Sequence, residues 1–479
     1  MKPDRPPLVV DLDGTLVRGD TLFETIAANL FSRPLQTLSA MAAIFSGRAA
    51  LKRRLAEVGL PDIASLPLNE SFIAFLREEK AKGRSLHLAT AADRRIADAV
   101  AARLELFDSV AASEAGVNLK GARKRDALEQ RFPGGFSYAG DSRADLAVWA
   151  GAKGAVIVGA RPGVAAAARA NGVPVEAEFP PAQSASFKVW RKAFRLHQWA
   201  KNILIFAPIL LAHAYGDEAA VLRVVLGFFI LGVVASGTYL VNDLADLGAD
   251  RRHRTKHRRP FASGAIPVEL GLAAAPTMIA GGLAAGFAVS PMFGLTLVIY
   301  LVLTLAYSFG LKRVAMLDVL VLGALYSLRL LMGVALVGSG VSPWLIAFSF
   351  FFFYSMSLAK RHVELVNAGD APTNVNLPGR GYRPADWPLT LAMGAASTAA
   401  SIVVIVLYLS EEAFPSGVYG APGWLWAAPV IVTLWTQRIW LLAQRGELDD
   451  DPVAFAVRDR LSLALGALLA LFFAAATFL

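Results

Sequence analysis

The chain has 479 residues, of which 55% are hydrophobic and 18% are charged, which is too apolar for a soluble protein of this length. Its net charge of +9 indicates anionic partners. We expect anionic membrane lipids and phosphorylated substrates rather than nucleic acid, because no aromatic-studded basic surface accompanies the charge. The absence of cysteine excludes disulfides, thiolate metal sites and cysteine nucleophiles. No apolar stretch precedes Asp11, so no cleaved signal peptide is expected.

Residues 1–178 have the composition of a globular domain. A short apolar strand at residues 8–10 runs into Asp-Leu-Asp-Gly-Thr at 11–15, and the carboxyl edge of a sheet is where open α/β folds place their chemistry. Further predicted strands end at residues 90 and 139. The polar residues near these strand ends are, in chain order, Asp11, Asp13, Thr90, Lys120, Lys124, Asp141 and Asp145. The sequence does not decide which of the two lysines reaches this edge.

In this order the motifs resemble the four motifs of the haloacid dehalogenase-like (HAD) phosphatase superfamily, over about residues 7–175. The resemblance implies a Rossmann-like α/β domain in which Asp11 is the nucleophile that forms an aspartyl-phosphate. Asp13 would be the general acid for the leaving group and then the base for water. Thr90 and Lys124 would bind the phosphoryl oxygens.

The same resemblance implies a magnesium site. Mg²⁺ would bind Asp11, the Asp13 carbonyl and Asp141, with Asp145 in support. Residues 19–80 would form the family's small helical cap. A degenerate phosphatase fold kept as a regulatory module is the alternative, but loss of activity usually shows first at the nucleophile or the acid, and both are intact.

The rest of the chain is membrane-like. A linker over 179–198 interleaves basic and apolar residues, which predicts an amphipathic helix at the membrane surface. An all-α polytopic domain over 199–479 follows, because apolar segments of about 20 residues cross a bilayer. Nine transmembrane helices are predicted, near 199–215, 221–241, 269–289, 292–310, 315–337, 342–360, 387–409, 423–443 and 460–478. Lys and Arg lie in alternate loops, which predicts a cytoplasmic N-terminal domain and an external C-terminus.

The loop after the second predicted helix carries Asn242, Asp243, Asp246 and Asp250. Aspartates spaced i, i+3, i+7 lie along one face of a helix, and convergent carboxylates repel each other unless a hard cation binds between them. The basic residues that follow are Arg251, Arg252, Arg254, Lys256, Arg258 and Arg259. They suit phosphate oxygens. A loop that only sets topology would need no carboxylates in helical register, so the pattern predicts a phosphate and metal site.

Residues 239–251 resemble the first aspartate-rich motif of the UbiA-type intramembrane prenyltransferases, a nine-helix family, and the resemblance covers roughly 190–479. Where this family has a second aspartate-rich motif, the chain has only Lys312 and Asp318. That departure resembles the branch of polyprenyl-phosphate phosphoribosyltransferases. Substrate-binding residues implied by the resemblance are Lys201, Asn202, Asn242, Lys256, Arg258, Arg259, Lys312, Arg329, Lys360 and Arg361. For Lys201 and Lys360, snorkelling to the membrane interface is an open alternative.

The two resemblances together imply a bifunctional enzyme of the bacterial inner membrane. An oxygen of a polyprenyl (decaprenyl) phosphate would attack ribose C1 of phosphoribosyl pyrophosphate, with Mg²⁺ on Asp243, Asp246 and Asp250 neutralising the departing diphosphate. The phosphatase would then remove the 5-phosphate, leaving polyprenylphosphoryl-ribose, a precursor for arabinofuranosyl cell-surface glycans. A prenyltransferase for an aromatic or lipid acceptor, with an unrelated phosphatase, is disfavoured by the missing second aspartate pair. A transporter with a regulatory domain is disfavoured by the three aspartates in register.

Overall fold

The computed structural model describes residues 5–113, 118–181, 186–338, 340, 342–369, 375–377, 379–448 and 452–479. The chain forms two compact units. The first consists of Met1–Phe194 and Tyr239–Pro276, and the second of Arg195–Thr238 and Thr277–Leu479. The residues 242–259, which we call the aspartate-rich segment, therefore belong to the same unit as the N-terminal domain, whereas the sequence pattern assigns them to the membrane domain.

A parallel six-stranded sheet in the order β3-β2-β1-β4-β5-β6 forms the centre of the first unit. Its strands are β1 (Leu8–Val10), β2 (Leu86–Asp93), β3 (Ser109–Ser113), β4 (Ser137–Gly140), β5 (Gly154–Val158) and β6 (Val175–Phe179). In the central strand, Leu8 pairs with Leu86 on one side and with Ser137 on the other. All of β1 is buried, as expected of a parallel strand covered on both faces. The predicted parallel α/β architecture is confirmed.

Helices cover both faces of this sheet. The helices of this part of the chain, including those of the insertion and the linker, are α1 (Thr21–Leu30), α2 (Pro34–Met41), α3 (Arg48–Val58), α4 (Glu70–Ala81), α5 (Arg94–Leu104), α6 (Ala122–Arg131), α7 (Leu146–Trp149), α8 (Pro162–Ala170) and α9 (Phe187–Ala193). Phe72 of α4 packs with Leu8 and Val10 on one face, while Trp149 packs with Val9 on the other. Because α4 belongs to the sheet core, the helical insertion (α1–α3) is shorter than the predicted cap at 19–80.

Eleven further helices follow in the described residues. They are α10 (Ala207–Leu211), α11 (Glu218–Ala245), α12 (Leu247–Arg252), α13 (Val268–Val289), α14 (Pro291–Phe309), α15 (Leu317–Val337), α16 (Pro343–Val366), α17 (Trp387–Tyr408), α18 (Ala427–Gln444), α19 (Pro452–Ala456) and α20 (Arg460–Phe478). Within this part of the chain, seven helical segments are long and apolar enough to cross a membrane: Glu218–Ala245, Val268–Val289, Pro291–Phe309, Leu317–Val337, Pro384–Ala413, Pro422–Gln444 and Arg460–Phe478.

Two of the nine predicted membrane helices are not among these seven. The segment predicted at 199–215 is a 3-10 helix, Leu196–Phe206, followed by the short α10. Pro208 lies in the first turn of α10, where a missing N–H is tolerated, so the helix begins there instead of running through. The segment predicted at 342–360 forms α16, which has 24 residues. Lys360, Arg361 and His362 lower the mean hydropathy of the C-terminal half of this helix.

Candidate functional site

The carboxyl edge of the sheet brings three aspartates together. Asp11 directly follows β1, and its N–H donates to the carbonyl of Ala139 in β4 at 3.0 Å. Asp141 follows β4 in turn, and Asp145 lies one helical turn further on. One carboxylate oxygen from each of Asp11, Asp141 and Asp145 lies within 4.8 Å of the other two. Sequence reasoning predicted these three residues as metal ligands, and the structure brings them together.

A buried lysine and a tyrosine complete this cluster. Lys124 of α6 is 2% exposed, and its Nζ lies 2.9 Å from Asp11 Oδ2 and 2.8 Å from the hydroxyl of Tyr138. That hydroxyl lies 2.8 Å from Asp145 Oδ1 and 3.2 Å from Asp11 Oδ2. Lys120 is exposed, so the geometry favours Lys124 as the motif lysine. Sequence reasoning missed Tyr138, because the only signal is a phenol in the strand that leads into the Gly-Asp motif.

The electrostatics of the cluster suit a divalent cation. The pKa of Asp141 is raised to about 8, mainly by burial and then by the charges of Asp145 and Asp11. Burial also raises the pKa of Asp11, against the lowering effect of Lys124. A cation between the carboxylates would relieve this repulsion, and carboxylate oxygens are the ligands that Mg²⁺ prefers. Thr15 fixes Asp141 by a hydrogen bond of 3.2 Å to its Oδ1.

Asp13 and Thr90 lie in the same part of the unit. Asp13 Oδ1 accepts from the N–H of Thr21 at 2.8 Å, and its pKa is raised to about 6, mainly by burial and by the charge of Asp20. A carboxyl group whose pKa is raised toward neutral pH suits general acid catalysis followed by general base catalysis. Thr90 is fully buried, and its strand continues to Asp93 rather than ending at residue 90.

The aspartate-rich segment brings together two of its three carboxylates. Asp243 and Asp250 are each 3% exposed, and Nη1 of Arg259 lies 3.2 Å from Asp243 Oδ1 and 2.6 Å from Asp250 Oδ2. Asp246 is exposed and lies at the break between α11 and α12. The cation between these carboxylates is thus a guanidinium, and Arg259 is engaged within the protein. Magnesium binding by Asp243, Asp246 and Asp250 stays a prediction.

Two polar features of this segment are suited to a ligand. Asn242 Oδ1 is buried without a hydrogen-bond partner among the described residues. Lys256 and Arg258 form a short 3-10 turn and are exposed. The carbonyl of Arg258 accepts from Lys192 of α9 at 3.0 Å, which ties the linker to this turn and leaves the guanidinium of Arg258 at the surface.

Unlike Lys256 and Arg258, Arg251 is buried in an ion pair with the N-terminal domain. Its guanidinium forms two hydrogen bonds to the carboxylate of Glu24 in α1, at 2.7 and 2.9 Å, and the two side chains are 6% and 3% exposed. The neighbouring pair of Arg252 with Asp62, at 3.0 Å, is largely exposed on the arginine side. Arg251 therefore connects α12 to the helical insertion and is not presented to a phosphate.

In the second unit, two predicted substrate-binding cations share an aromatic ring. The guanidinium carbon of Arg329 lies 5.3 Å from the ring centre of Tyr326, and Nζ of Lys201 lies 5.9 Å from it. Arg329 is 7% exposed and donates to Asn202 Oδ1 at 3.2 Å and to the Leu325 carbonyl at 2.6 Å. No carboxylate pairs with Arg329 in the described part of the chain. A buried arginine with only neutral partners in a membrane helix is a candidate anion site.

Arg361 was predicted to bind substrate, but its side chain is fully buried within the second unit. It forms ion pairs with Asp318, at 2.5 Å, and with Glu364. Asp318 also accepts from the hydroxyl of Tyr382 at 2.7 Å. The structure therefore places both Arg361 and the remaining aspartate of the second motif region in a buried polar network, where each satisfies the other.

The last two predicted substrate-binding cations, Lys312 and Lys360, are both half-buried. Lys312 lies in the 3-10 turn Leu311–Arg313, between α14 and α15. Lys360 lies in the C-terminal half of α16. Both positions are compatible with phosphate binding, and for Lys360 the alternative of interfacial snorkelling stays open.

Comparison with known proteins gives matches over most of the chain. The family model described as the UbiA prenyltransferase family matches residues 203–463. A protein of Sinorhizobium fredii called uncharacterized protein y4nM is 46% identical over 464 residues, which are 97% of this chain and 90% of that protein. Nodulation protein NoeC of Azorhizobium caulinodans is 33% identical over 60% of this chain and 93% of its own length. The decaprenyl-phosphate phosphoribosyltransferase of Mycobacterium tuberculosis is 36% identical over 190 residues, 39% of this chain and 62% of that protein.

Proposed function

Because the chain belongs to the UbiA prenyltransferase family, we propose that its membrane part transfers 5-phosphoribose from phosphoribosyl pyrophosphate to a polyprenyl phosphate. We further propose that the N-terminal domain is a HAD-type phosphatase that removes the 5-phosphate from the product. The first proposal is supported by the similarity to decaprenyl-phosphate phosphoribosyltransferase. The second is supported by the cluster of Asp11, Lys124, Asp141 and Asp145.

In the transfer reaction, a phosphate oxygen of the lipid forms a bond to ribose C1 while the bond from C1 to the diphosphate oxygen breaks. Negative charge accumulates on the departing diphosphate, so exposed cations such as Lys256 and Arg258 would stabilise the transition state. The lipid phosphate needs its own cations within the membrane part. Lys201 and Arg329, around one tyrosine ring, are the best candidates for that role.

The ion pair and hydrogen bond that Asp318 already forms within the protein favour phosphoribosyl transfer over prenyl transfer. A prenyltransferase of this family uses a second aspartate-rich motif, and here the one aspartate of that region is buried against Arg361 and Tyr382. Its carboxylate is already neutralised and hydrogen-bonded, so it is a poor ligand for a second cation.

In the phosphatase reaction, Asp11 Oδ2 attacks the phosphorus of the 5-phosphate and the bond from phosphorus to the ribose O5′ breaks. Asp13, whose pKa is raised to about 6, gives its proton to the leaving O5′ and then accepts one from the water that hydrolyses the aspartyl-phosphate. Lys124, 2.9 Å from Asp11 Oδ2, orients the nucleophile and contacts the phosphoryl oxygens. Mg²⁺ held by Asp11, Asp141 and Asp145 would offset the charge of the phosphoryl group.

One observation carries the bifunctional proposal: the aspartate-rich segment and the phosphatase domain belong to one compact unit. The buried pair of Glu24 with Arg251 fixes that association. A lipid-linked intermediate would then meet the second site at a high effective concentration, as linked modules do.

The test is reconstitution of the full chain in proteoliposomes with radiolabelled phosphoribosyl pyrophosphate and decaprenyl phosphate. We expect label in the lipid fraction that depends on decaprenyl phosphate. Label that stays in the aqueous phase would reject the transfer proposal, and transfer of a prenyl group from an allylic diphosphate to an aromatic acceptor would favour ordinary prenyltransferase activity instead.

A further inference from the structure

The helical insertion carries an unusual apolar surface. Seven large apolar side chains are exposed within the described part of residues 5–181: Leu35, Leu38, Met41, Ile44, Phe45, Leu60 and Val175. Five of the seven lie in the eleven residues from 35 to 45. Phe45 is 94% exposed and Leu35 is 82% exposed. Such a concentration is atypical of a surface that faces water, where large apolar side chains are usually scattered singly.

This surface belongs to a well-packed element rather than to a frayed loop. Its inner side, at Thr37 and Ala40, is buried, and Ala40 packs in a cluster with Ile26, Leu51 and Leu55. The helix α2 and the 3-10 turn Ala42–Ser46 therefore have an apolar outer side as well as a buried inner side. The outer side needs a partner that removes it from water.

The charges around this surface favour an anionic lipid bilayer. No charged residue occurs from 34 to 47, and Arg33 and Arg48 lie at the two ends of that stretch, both of them exposed. An uncharged apolar segment between two arginines is the arrangement of an interfacial helix, in which the apolar side chains enter the acyl boundary and the arginines reach the headgroups.

The helix α13 indicates the depth at which the helical insertion lies in the bilayer, because α13 both packs against the insertion and is a candidate membrane span. This candidate membrane span has 22 residues, a length of about 33 Å at 1.5 Å per residue, which matches the hydrocarbon thickness of about 30 Å. Its first turns therefore lie at the interface. Leu272, in those turns, packs against the cluster of Ile26, Ala40 and Leu55. The insertion is thereby held at the level where headgroups meet acyl chains.

We propose that the outer side of the helical insertion, residues 35–45, is embedded in the interface of an anionic membrane. The insertion also reaches the phosphatase site, since Lys52 of α3 donates to the carbonyl of Ala91, next to Thr90, at 2.8 Å. Embedding the outer side of the insertion in the membrane would thus hold the phosphatase site beside the lipid surface. The embedding itself does not depend on which phosphate the site hydrolyses.

The absence of cysteine allows a direct test in the full chain. Leu38→Cys and Phe45→Cys variants are labelled with an environment-sensitive fluorophore and placed in nanodiscs of phosphatidylglycerol and phosphatidylcholine that contain a lipid with a quencher near the top of its acyl chain. The matched control is Ala166→Cys, an exposed position on α8. We expect quenching at positions 38 and 45 and none at position 166.

Two further arms make the result decisive. Adding Leu38→Asp to the Phe45→Cys variant should reduce the quenching to the level of the Ala166 control, because a carboxylate is costly in the interface. Replacing phosphatidylglycerol by phosphatidylcholine should weaken it, because Arg33 and Arg48 lose anionic headgroups. Quenching no greater than that of the control at both positions would overturn the proposal. Concentration-dependent disulfide formation between copies through position 38, without quenching, would assign the surface to a second copy instead and also overturn it.

Discussion

The carboxylate of Glu24 and the guanidinium of Arg251 form a two-bond ion pair, at 2.7 and 2.9 Å, between residues 227 positions apart in the chain. Both side chains are almost fully buried. The pair joins α1 of the helical insertion to α12, the helix that contains Asp250. Each charge is therefore satisfied only while the N-terminal domain stays packed against the aspartate-rich segment.

Removal of one charge from this pair should destabilise the first unit. Glu24→Gln leaves a buried arginine without its counter-charge, which costs about 3–5 kcal/mol, whereas a double replacement such as Glu24→Gln with Arg251→Met should restore most of the loss. The control is Asp62→Asn, since its partner Arg252 is exposed and such pairs contribute about 0–1 kcal/mol. Thermal unfolding of the three variants measures this. Equal midpoints for Glu24→Gln and Asp62→Asn would contradict the structural role.

The two lysines near the phosphatase site should differ sharply. Lys124→Ala removes a charge-assisted contact worth about 1.5–3 kcal/mol, so we expect a ten- to hundredfold or larger fall in kcat/KM for a soluble phosphomonoester. Lys120→Ala, at an exposed position, should behave like the wild type. The opposite pattern would identify Lys120 as the motif lysine.

Asp246 gives the cleanest test of a cation at the aspartate-rich segment. Its side chain is exposed, so Asp246→Asn should leave the thermal midpoint unchanged while abolishing transfer, if the carboxylate binds a catalytic cation. Asp243→Asn should abolish transfer as well, but it also loses the ion pair with Arg259. Phosphatase turnover of a soluble substrate should survive in both variants. Wild-type transfer by Asp246→Asn would remove this residue from the metal assignment.

The cations of the second unit should be needed for transfer. Arg329→Ala and Lys312→Ala each remove one charge from a proposed phosphate contact, and we expect ten- to hundredfold losses in the catalytic efficiency of transfer. Arg445→Ala, which removes an exposed arginine, is the matched control. If the two variants show lower yield but the same KM and kcat as the control, their role is in folding.

In the cluster of Asp11, Lys124, Asp141 and Asp145, the positions of Asp11 and Asp141 could be predicted because each follows a strand, and parallel strands deliver their ends to one edge. Asp145 and Lys124 were predicted from the resemblance to the HAD motifs. Tyr138 could not be predicted, since a buried tyrosine in a strand has no motif of its own. The partners of Arg251 and Arg361 were also missed, because Glu24 and Asp318 lie far away in the sequence and pairing across the fold leaves no local pattern. The segment predicted as the first membrane helix is not one continuous α-helix, and the sequence did not show this because an average over apolar residues does not register the break at Pro208.

The mass of the lipid product tests the central claim most directly. Wild type and Asp11→Asn are each incubated in proteoliposomes with decaprenyl phosphate, phosphoribosyl pyrophosphate and equal Mg²⁺, and the extracted lipids are resolved by mass spectrometry. Asp11→Asn removes the carboxylate that accepts the phosphoryl group, while the aspartate-rich segment is unchanged. We expect the wild type to give the ribose lipid and the variant to accumulate the same lipid with one additional phosphate. The same phosphorylated lipid from both proteins would contradict the bifunctional account and assign the phosphatase to another substrate.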